Sequence, residues 1–510
     1  MEKRRLIINL IANIISYTST ILISFILTPY LIRVLGKEVY GFYPLANNFI
    51  NYMSIITVAL NSMAARFITI EIVKNNYKKA NKYFSSIFFA NIILSLILGM
   101  LMLIIVVFLP RILNIPLNLV DTIKILFSLV FLSMIINIIT SIFGVATFAK
   151  DRIDLRSISE IIKGVLRIIL YILLFNIFKP NIIYIGLIAV ILESVIFLVN
   201  YKFTKILLPK IKIDIGKFDI KVIKQVIASG VWNSVNQLGG SLLYGMDLII
   251  GNIFLGEIAS GEISIVQTVP NFINGIISML TGVFMPRIMR KYAENNINGL
   301  IKEVKMSQKI MGLIVNVPIC IFIVFGKEFF DLWVPGNNSY ILQKLSILTI
   351  MHLILVGVVW PISNLNIVMN RVKKPSLLMI LNGVINITSM IFLINNSQLG
   401  ILAIPLTTMF ISFIWFGIFI PIYPCKSLSI RKTTFYPVII RTIISVPIII
   451  LMASSIKNIF IVDSWIKLFI IGGLCGGIGL VINAVFILGI KECVDVILLI
   501  KNKYLNKYNL

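Results

Sequence analysis

The sequence predicts an all-α polytopic membrane protein of about fourteen transmembrane helices, built as two six-helix lobes followed by two C-terminal helices. Three observations predict it: a composition too apolar for water, apolar runs of spanning length along the whole chain, and an internal repeat. Of the 510 residues, 59% are hydrophobic and 13% charged, with a mean hydropathy of +1.01. A soluble domain carries about 25% charged residues. Crossing the hydrocarbon takes roughly 20 apolar residues as a helix, and helix is required because every backbone polar group in lipid must be bonded within its own segment.

Taken in order, the apolar runs begin near residues 6, 43, 83, 122, 158, 182, 225, 258, 308, 341, 376, 400, 438 and 465. The opening MEKRR leads into an apolar stretch with no small-residue cleavage site, so residues 1–35 read as a retained first span. The spacing of the spans gives an N-terminal six-helix lobe over residues 1–203 and a basic cytoplasmic linker over 204–224. A second six-helix lobe follows over 225–421, then spans 13 and 14 with a tail over 422–510.

The net charge of +26 could point to nucleic acid, but its placement argues otherwise. With both termini on one side, 35 of the 46 Lys and Arg fall in that side's loops and nine in the opposite loops, Arg66 and Arg167 lying inside spans. Cytoplasmic loops carry this excess, so both termini are expected in the cytoplasm and no nucleic-acid partner is expected. The cysteines Cys320, Cys425, Cys475 and Cys493 show no ligand spacing or pairing pattern and read as free thiols.

The repeat lies at an offset near 220 residues. Leu35-Gly36-KEVY-Gly41 with Asn48-Phe49-Ile50-Asn51 is echoed by Leu255-Gly256-EIAS-Gly261 with Asn271-Phe272-Ile273-Asn274. Six spans separate the copies, so both keep one orientation, related by an axis along the membrane normal.

Polar residues at helical spacing mark either a wet cavity or a helix contact. Span 7 carries Asn233, Asn236/Gln237, Ser241, Tyr244 and Asp247. Span 1 carries Asn9, Asn13, Ser16/Tyr17, Thr20, Ser24 and Thr28, and the offset lays Asn13 on Asn233. Span 8 adds Gln267, Asn271, Asn274, Ser278 and Thr281; span 2 adds Asn48, Tyr52, Ser62 and Arg66. Arg66 is placed about one turn from the cytoplasmic end of span 2, where a snorkelling role competes with a binding role. Span 5 has Arg156, Glu160, Lys163 and Arg167 on one face, which suits an intrahelical ion-pair ladder or a deep basic site. Asp247 and Glu193 are intramembrane acids able to take a proton or Na⁺ or to pair with a base. His352 reads as a packing residue, and Arg287 as a loop or snorkelling one.

No P-loop, HExxH or GxSxG motif is present, so neither an enzyme nor a chain hydrolysing ATP by itself is expected. A net-basic interior suits a diphosphate, and Asn, Gln, Ser and Tyr suit sugar hydroxyls.

The stretch TPYLIRVLGKEVYGFYPLANNFINYMSIITVALNSMAARFI, with its LGxxxYGxY turn and Arg66, resembles the start of bacterial Wzx-type polysaccharide flippases. These belong to the multidrug/oligosaccharidyl-lipid/polysaccharide exporter superfamily. DLIIGNIFLG at Asp247–Gly256 is similar to the matching stretch of the second lobe. The resemblance implies a MATE-like two-lobe fold in a bacterial cytoplasmic membrane. It implies a flippase carrying oligosaccharide on undecaprenyl diphosphate to the outer leaflet for surface polysaccharide synthesis. It also implies H⁺, Na⁺ or substrate-gradient driving and no resident cofactor or metal. The expected partners are lipid-linked oligosaccharide, membrane lipids and the polysaccharide polymerase machinery. On that analogy Arg66, Lys163 and Arg167 meet the diphosphate. Asn13, Asn48, Asn233, Asn236, Gln237, Tyr244, Asn271 and Asn274 meet the sugars, and Asp247 or Glu193 couples the ion. The rivals are a cation-coupled multidrug exporter on the same fold, which would want a more acidic interior, and a flippase for a peptidoglycan or teichoic precursor. A polymerase or ligase would want a large outer loop, and every predicted outer loop is short.

Overall fold

The computed structural model describes residues 2–150, 152–369 and 371–489, except the side chains of 2–10, 13, 14, 153, 282, 283 and 286. The first repeat consists of α1 (Glu2–Leu35), α2 (Lys37–Tyr40), α3 (Phe42–Val73), α4 (Tyr77–Ile112), α5 (Val120–Thr140), α6 (Val145–Ala149), α7 (Ile153–Ile177) and α8 (Ile183–Leu207). The second consists of α9 (Ile220–Tyr244), α10 (Asp247–Leu255), α11 (Glu257–Val266), α12 (Thr268–Ala293), α13 (Ile297–Trp333), α14 (Ser339–Met351), α15 (Leu353–Val368), α16 (Lys373–Asn396), α17 (Ala403–Ile414) and α18 (Ile420–Ser427). Two further helices, α19 (Tyr436–Ile459) and α20 (Trp465–Leu488), complete the described chain.

Thirteen helices among the described residues are long and apolar enough to cross a membrane. The remaining expected span is α7, of 25 residues, whose Asp154, Arg156, Glu160, Lys163 and Arg167 make it too charged to stand out by composition. Faces turned away from the protein are apolar: Leu96, Met100, Leu103 and Val107 are all exposed along α4, at the spacing of a single helix face.

The repeat extends from end to end. Tyr77 opens α4 and Ile297 opens α13; Ile153 opens α7 and Lys373 opens α16; α8 spans Ile183–Leu207 and α17 with α18 spans Ala403–Ser427. Each pair of start points differs by 220. Local backbone chemistry repeats as well. Gly36 and Gly256, after α1 and α10, have φ of +83° and +89°, and Asn75 and Asn295 have φ of +57° and +53°. Gly reaches that region without a Cβ clash, and Asn is the usual side-chain-bearing alternative. The next residues cap helices: the Asn76 side chain accepts from Lys79 N–H at 3.1 Å, and Asn296 from Gly299 N–H at 2.8 Å. Such caps are worth about 1 kcal/mol each.

Packing divides the chain into two compact units: residues up to Ile265 together with Lys373–Ile401, and Val266–Val372 together with residues from Leu402 on. In the first unit α9 lies between α3 and α16. Glycines permit the approach: a Cβ on Gly230 would collide with the Ala59 carbonyl of α3, and one on Gly383 of α16 with Leu242. Close backbone approach at small residues is the usual means of association where lipid removes the hydrophobic drive. In the second unit α19 and α20 pack on α13 around a buried polar knot. Asn483 Nδ2 donates to the Gly312 and Leu313 carbonyls at 3.0 and 3.2 Å, and Ser445 Oγ donates to Asn483 Oδ1 at 2.6 Å.

Two sequence expectations need adjusting. Arg66 sits about two turns from the end of its helix, because α3 continues to Val73. Span 7 is broken at Gly245 and Met246 into α9 and α10.

Candidate functional site

Among the first unit's helices a cavity of about 250 Å³ lies between α3, α5, α7 and α8. Each helix contributes one face. From α7 come Lys163, Arg167 and Tyr171, four residues apart and therefore in one row. From α3 come Tyr43, Asn47, Ile50, Ser54 and Thr57, from α5 Ser133 and Asn137, and from α8 Ala189, Leu192 and Glu193.

Glycines set these helices in place. A Cβ on Gly186 of α8 would lie 2.8 Å from Leu129 Cβ and 3.2 Å from the Leu126 carbonyl, so this glycine lets α8 close on α5. Glu193, two turns further along α8, then reaches α5 and α7 together. Its Oε1 pairs with Lys163 Nζ at 2.5 Å and its Oε2 accepts from Asn137 Nδ2 at 3.0 Å. The Lys163 and Glu193 side chains are only 18% and 15% exposed. A pair so enclosed needs such extra hydrogen bonds to offset its desolvation.

Arg167 stands one turn along α7 from Lys163. Among the described residues it has no carboxylate within ion-pair distance and no hydrogen-bond partner. The lining therefore holds two cations against one acid, with the second cation unneutralised. Guanidinium is always charged and presents a planar fork of donors that matches phosphate oxygens two at a time. Tyr43, Tyr171, Asn47, Asn137, Ser54 and Thr57 supply hydroxyl and amide groups around it.

This chemistry belongs to the first repeat alone. The positions 220 residues on from Lys163, Arg167, Tyr171 and Glu193 are Gly383, Ile387, Ile391 and Phe413. Gly383 is spent on helix packing instead.

Of the residues singled out from sequence, the structure brings Lys163, Arg167 and Glu193 together. Arg66 is exposed on α3 and does not line the cavity. Asn48 Nδ2 donates to the Gly245 carbonyl at 3.1 Å, and Asn233 Nδ2 to Ser62 Oγ at 3.2 Å, so both tie α3 to α9. Tyr52 OH donates to the Ser241 carbonyl at 3.3 Å, beside the same helix break. Asn236 and Gln237 are exposed on α9, Tyr244 is half-buried at its end, and Asp247 is buried as the first residue of α10. Asn271 and Asn274 are exposed on α12, in the second unit. Asn13 lies outside the described side chains. Sequence reasoning missed Tyr43, Asn47, Ser54, Asn137 and Tyr171. The signal for Tyr171 was present, one turn beyond Arg167 in the same row.

No group of three or more His, Cys, Asp or Glu that could hold a metal ion occurs among the described residues. Cys320, Cys425 and Cys475 are buried free thiols; Cys493 lies outside the described residues.

Comparison with known proteins now decides the family. Residues 6–292, more than half of the chain, match the family described as polysaccharide biosynthesis protein. The chain belongs to that family. A relative, the uncharacterized membrane protein EpsK of Bacillus subtilis (strain 168), is 26% identical over 465 residues, covering 91% of this chain and 92% of its own. Among solved structures, an inward-facing multidrug resistance MATE transporter of the MOP superfamily matches with a TM-score of 0.67 at 14% identity, over 79% of this chain and 94% of its own. The lipid II flippase MurJ, in an inward closed conformation, matches with a TM-score of 0.63 at 15% identity, over 94% and 98%. The fold of this polysaccharide biosynthesis protein is thus the MATE-like fold of MOP-superfamily transporters and flippases, in a multi-pass membrane protein.

Proposed function

We propose that the protein is a flippase that carries undecaprenyl-diphosphate-linked oligosaccharide repeat units from the cytoplasmic to the outer leaflet, for surface polysaccharide synthesis. The observation that carries this reading is the unpaired Arg167 beside the Lys163–Glu193 pair, in a cavity otherwise lined by Tyr, Asn, Ser and Thr. Arg167 and Lys163 hold the diphosphate, and the surrounding amides and hydroxyls meet the first sugar. A lining with more base than acid is the wrong sign for an organic cation, which separates this reading from multidrug export. Membership of the polysaccharide biosynthesis family favours a surface-polymer unit over a peptidoglycan precursor.

On this reading both termini lie in the cytoplasm, which the excess of Lys and Arg in the loops of that side supports. The two repeats then alternate access to the site without ATP. Glu193 is the leading coupling acid, because it already sits in the cavity on Lys163. The test is reconstitution of the purified protein into liposomes holding the lipid-linked oligosaccharide, with its sugars probed by an impermeant glycosidase. Protein-dependent gain of the inner-leaflet pool, lost in Arg167→Gln, supports the proposal. Equal access with and without protein contradicts it.

A further inference from the structure

The segment between the repeats, residues 208–219, is not a slack tether. Three side chains of the first turns of α4 lace it down. Asn81 donates through Nδ2 to the Lys210 carbonyl at 3.0 Å and accepts from Lys212 N–H at 2.6 Å. Ser85 Oγ donates to the Lys212 carbonyl at 3.3 Å and accepts from Asp214 N–H at 3.1 Å. Ser86 Oγ donates to the Lys217 carbonyl at 3.3 Å and accepts from Asp219 N–H at 3.0 Å. Both serines are fully buried, so each tie is shielded from competing water.

The two acids of the segment are consumed internally. Asp219 pairs with Lys82 at 2.6 Å and caps Lys221 N–H at 2.7 Å. Asp214 accepts from Gly216 N–H at 3.0 Å and pairs with Lys217 at 3.4 Å. The ammonium groups of Lys202, Lys212, Lys221 and Lys224 make no ion pair among the described residues. Between Lys212 and Lys221 stand Ile213, Ile215, Phe218 and Ile220, all exposed, Ile215 at 74%. The segment runs from the end of α8 to the start of α9, both spanning helices, so it sits at the level of a membrane surface.

We propose that this strap is an interfacial anchor for anionic lipid headgroups. A fixed strap, with a short 3-10 turn at Ile215–Lys217, that offers apolar side chains beside unneutralised lysines fits an anionic bilayer surface on both counts. The apolar groups enter the headgroup and acyl boundary, roughly 5–10 Å deep in known interfacial elements, and the lysines hold the phosphates above them. A soluble partner would need to cover the isoleucines and supply acids as well.

The test uses the full chain with Cys493→Ser and Ile215→Cys, labelled at position 215 with an environment-sensitive fluorophore. The other three cysteines are buried, and Ile215 is exposed, so the substitution leaves packing intact. The protein is placed in nanodiscs of phosphatidylcholine alone or mixed with phosphatidylglycerol. The expected result is blue-shifted emission quenched by acyl-brominated lipid, stronger with phosphatidylglycerol, the excess vanishing in K212E/K221E. Water-like, unquenched emission in both lipids would overturn the anchor and leave the face to a soluble partner. Equal quenching in both, unchanged by charge reversal, would overturn the assignment to anionic headgroups.

Discussion

Gly41 and Gly261, 220 residues apart in sequence and equivalent in the repeat, meet back to back. A Cβ on Gly41 would lie 3.0 Å from Gly261 Cα and 3.2 Å from Ser260 Oγ, and one on Gly261 would lie 2.6 Å from the Lys37 carbonyl. The two copies of the LG…G turn therefore touch through the glycines that define them. Lys37 and Glu262 close the same contact with an ion pair at 3.0 Å. Both glycines carry negative φ or ordinary helical backbone here, so closeness and not conformation selects them.

Substituting Gly261 by Ala should accordingly destabilise the protein more than Gly41→Ala. The Gly261 Cβ would lie 2.6 Å from rigid backbone, closer than real Cβ atoms come, whereas the tight 3.0 Å approach of the Gly41 Cβ is relieved by a shift of a few tenths of an ångström. Overpacking of this kind costs about 1–3 kcal/mol. Thermal unfolding of the purified variants would check the order; equal midpoints would show that the turns separate freely.

At the cavity, the charge pattern predicts a ranking. Arg167→Gln should weaken binding of an isoprenyl diphosphate about tenfold or more, the scale of a charged hydrogen bond at ~1.5–3 kcal/mol. Lys163→Gln should weaken it less, because Lys163 is already engaged by Glu193. Glu193→Gln should tighten binding by freeing Lys163. Titration of the detergent-solubilised variants measures all three, and tightening in Glu193→Gln is the outcome that a purely structural ion pair would not give.

The knot at Asn483 predicts non-additivity. Asn483→Ala removes the side-chain bonds to the Gly312 and Leu313 carbonyls and leaves Ser445 with its bond to the Thr442 carbonyl alone, at about 1–3 kcal/mol. Ser445→Ala should add little on top of it, since its bond to Asn483 is already gone. A double-mutant cycle in thermal stability reads this directly.

The strap predicts an acid response. Lys82 first, and the Lys221 N–H next, hold the Asp219 carboxylate below the ordinary aspartate value of 3.8. A depressed pKa in the folded state contributes stability above the unfolded value and loses it as pH falls through the folded one. The strap should therefore stay docked at neutral pH and loosen only below about pH 3.8. Asp219→Asn should remove that acid step from the emission of a label at position 215. Asp219 is half-buried but the side chain of its partner Lys82 is 45% exposed, so the effect is local and partly screened by salt.

Most of the fold was legible because lipid forces it: runs of apolar residues must be helices, and the LG…G turn repeats in the chain itself. The break after α9 was harder to see, since its only mark is Gly245; Asn48 from another helix bonds the Gly245 carbonyl, and Tyr52 shares the Ser241 carbonyl with the Gly245 N–H. The site was legible in part. Lys163 and Arg167 share a face, and Glu193 stands out as an acid in an apolar run. Their meeting depends on how deeply α8 settles on α5, which Gly186 decides through contacts with Leu126 and Leu129. On α3, Asn48 and Tyr52 were conspicuous, yet the neighbouring face carrying Tyr43, Asn47 and Ser54 lines the cavity. Helical period alone gives rows of residues; interhelical register chooses which row is wet.

The measurement that bears most directly on the central claim is the amount of undecaprenyl-diphosphate oligosaccharide on the cytoplasmic side of cells lacking this protein, with surface polymer followed in parallel. Complete repeat units should accumulate and surface polymer should be lost, with rescue by the wild-type chain and not by Arg167→Gln. Unchanged lipid-linked sugars in the deletion would contradict the account and turn attention to export of another cargo.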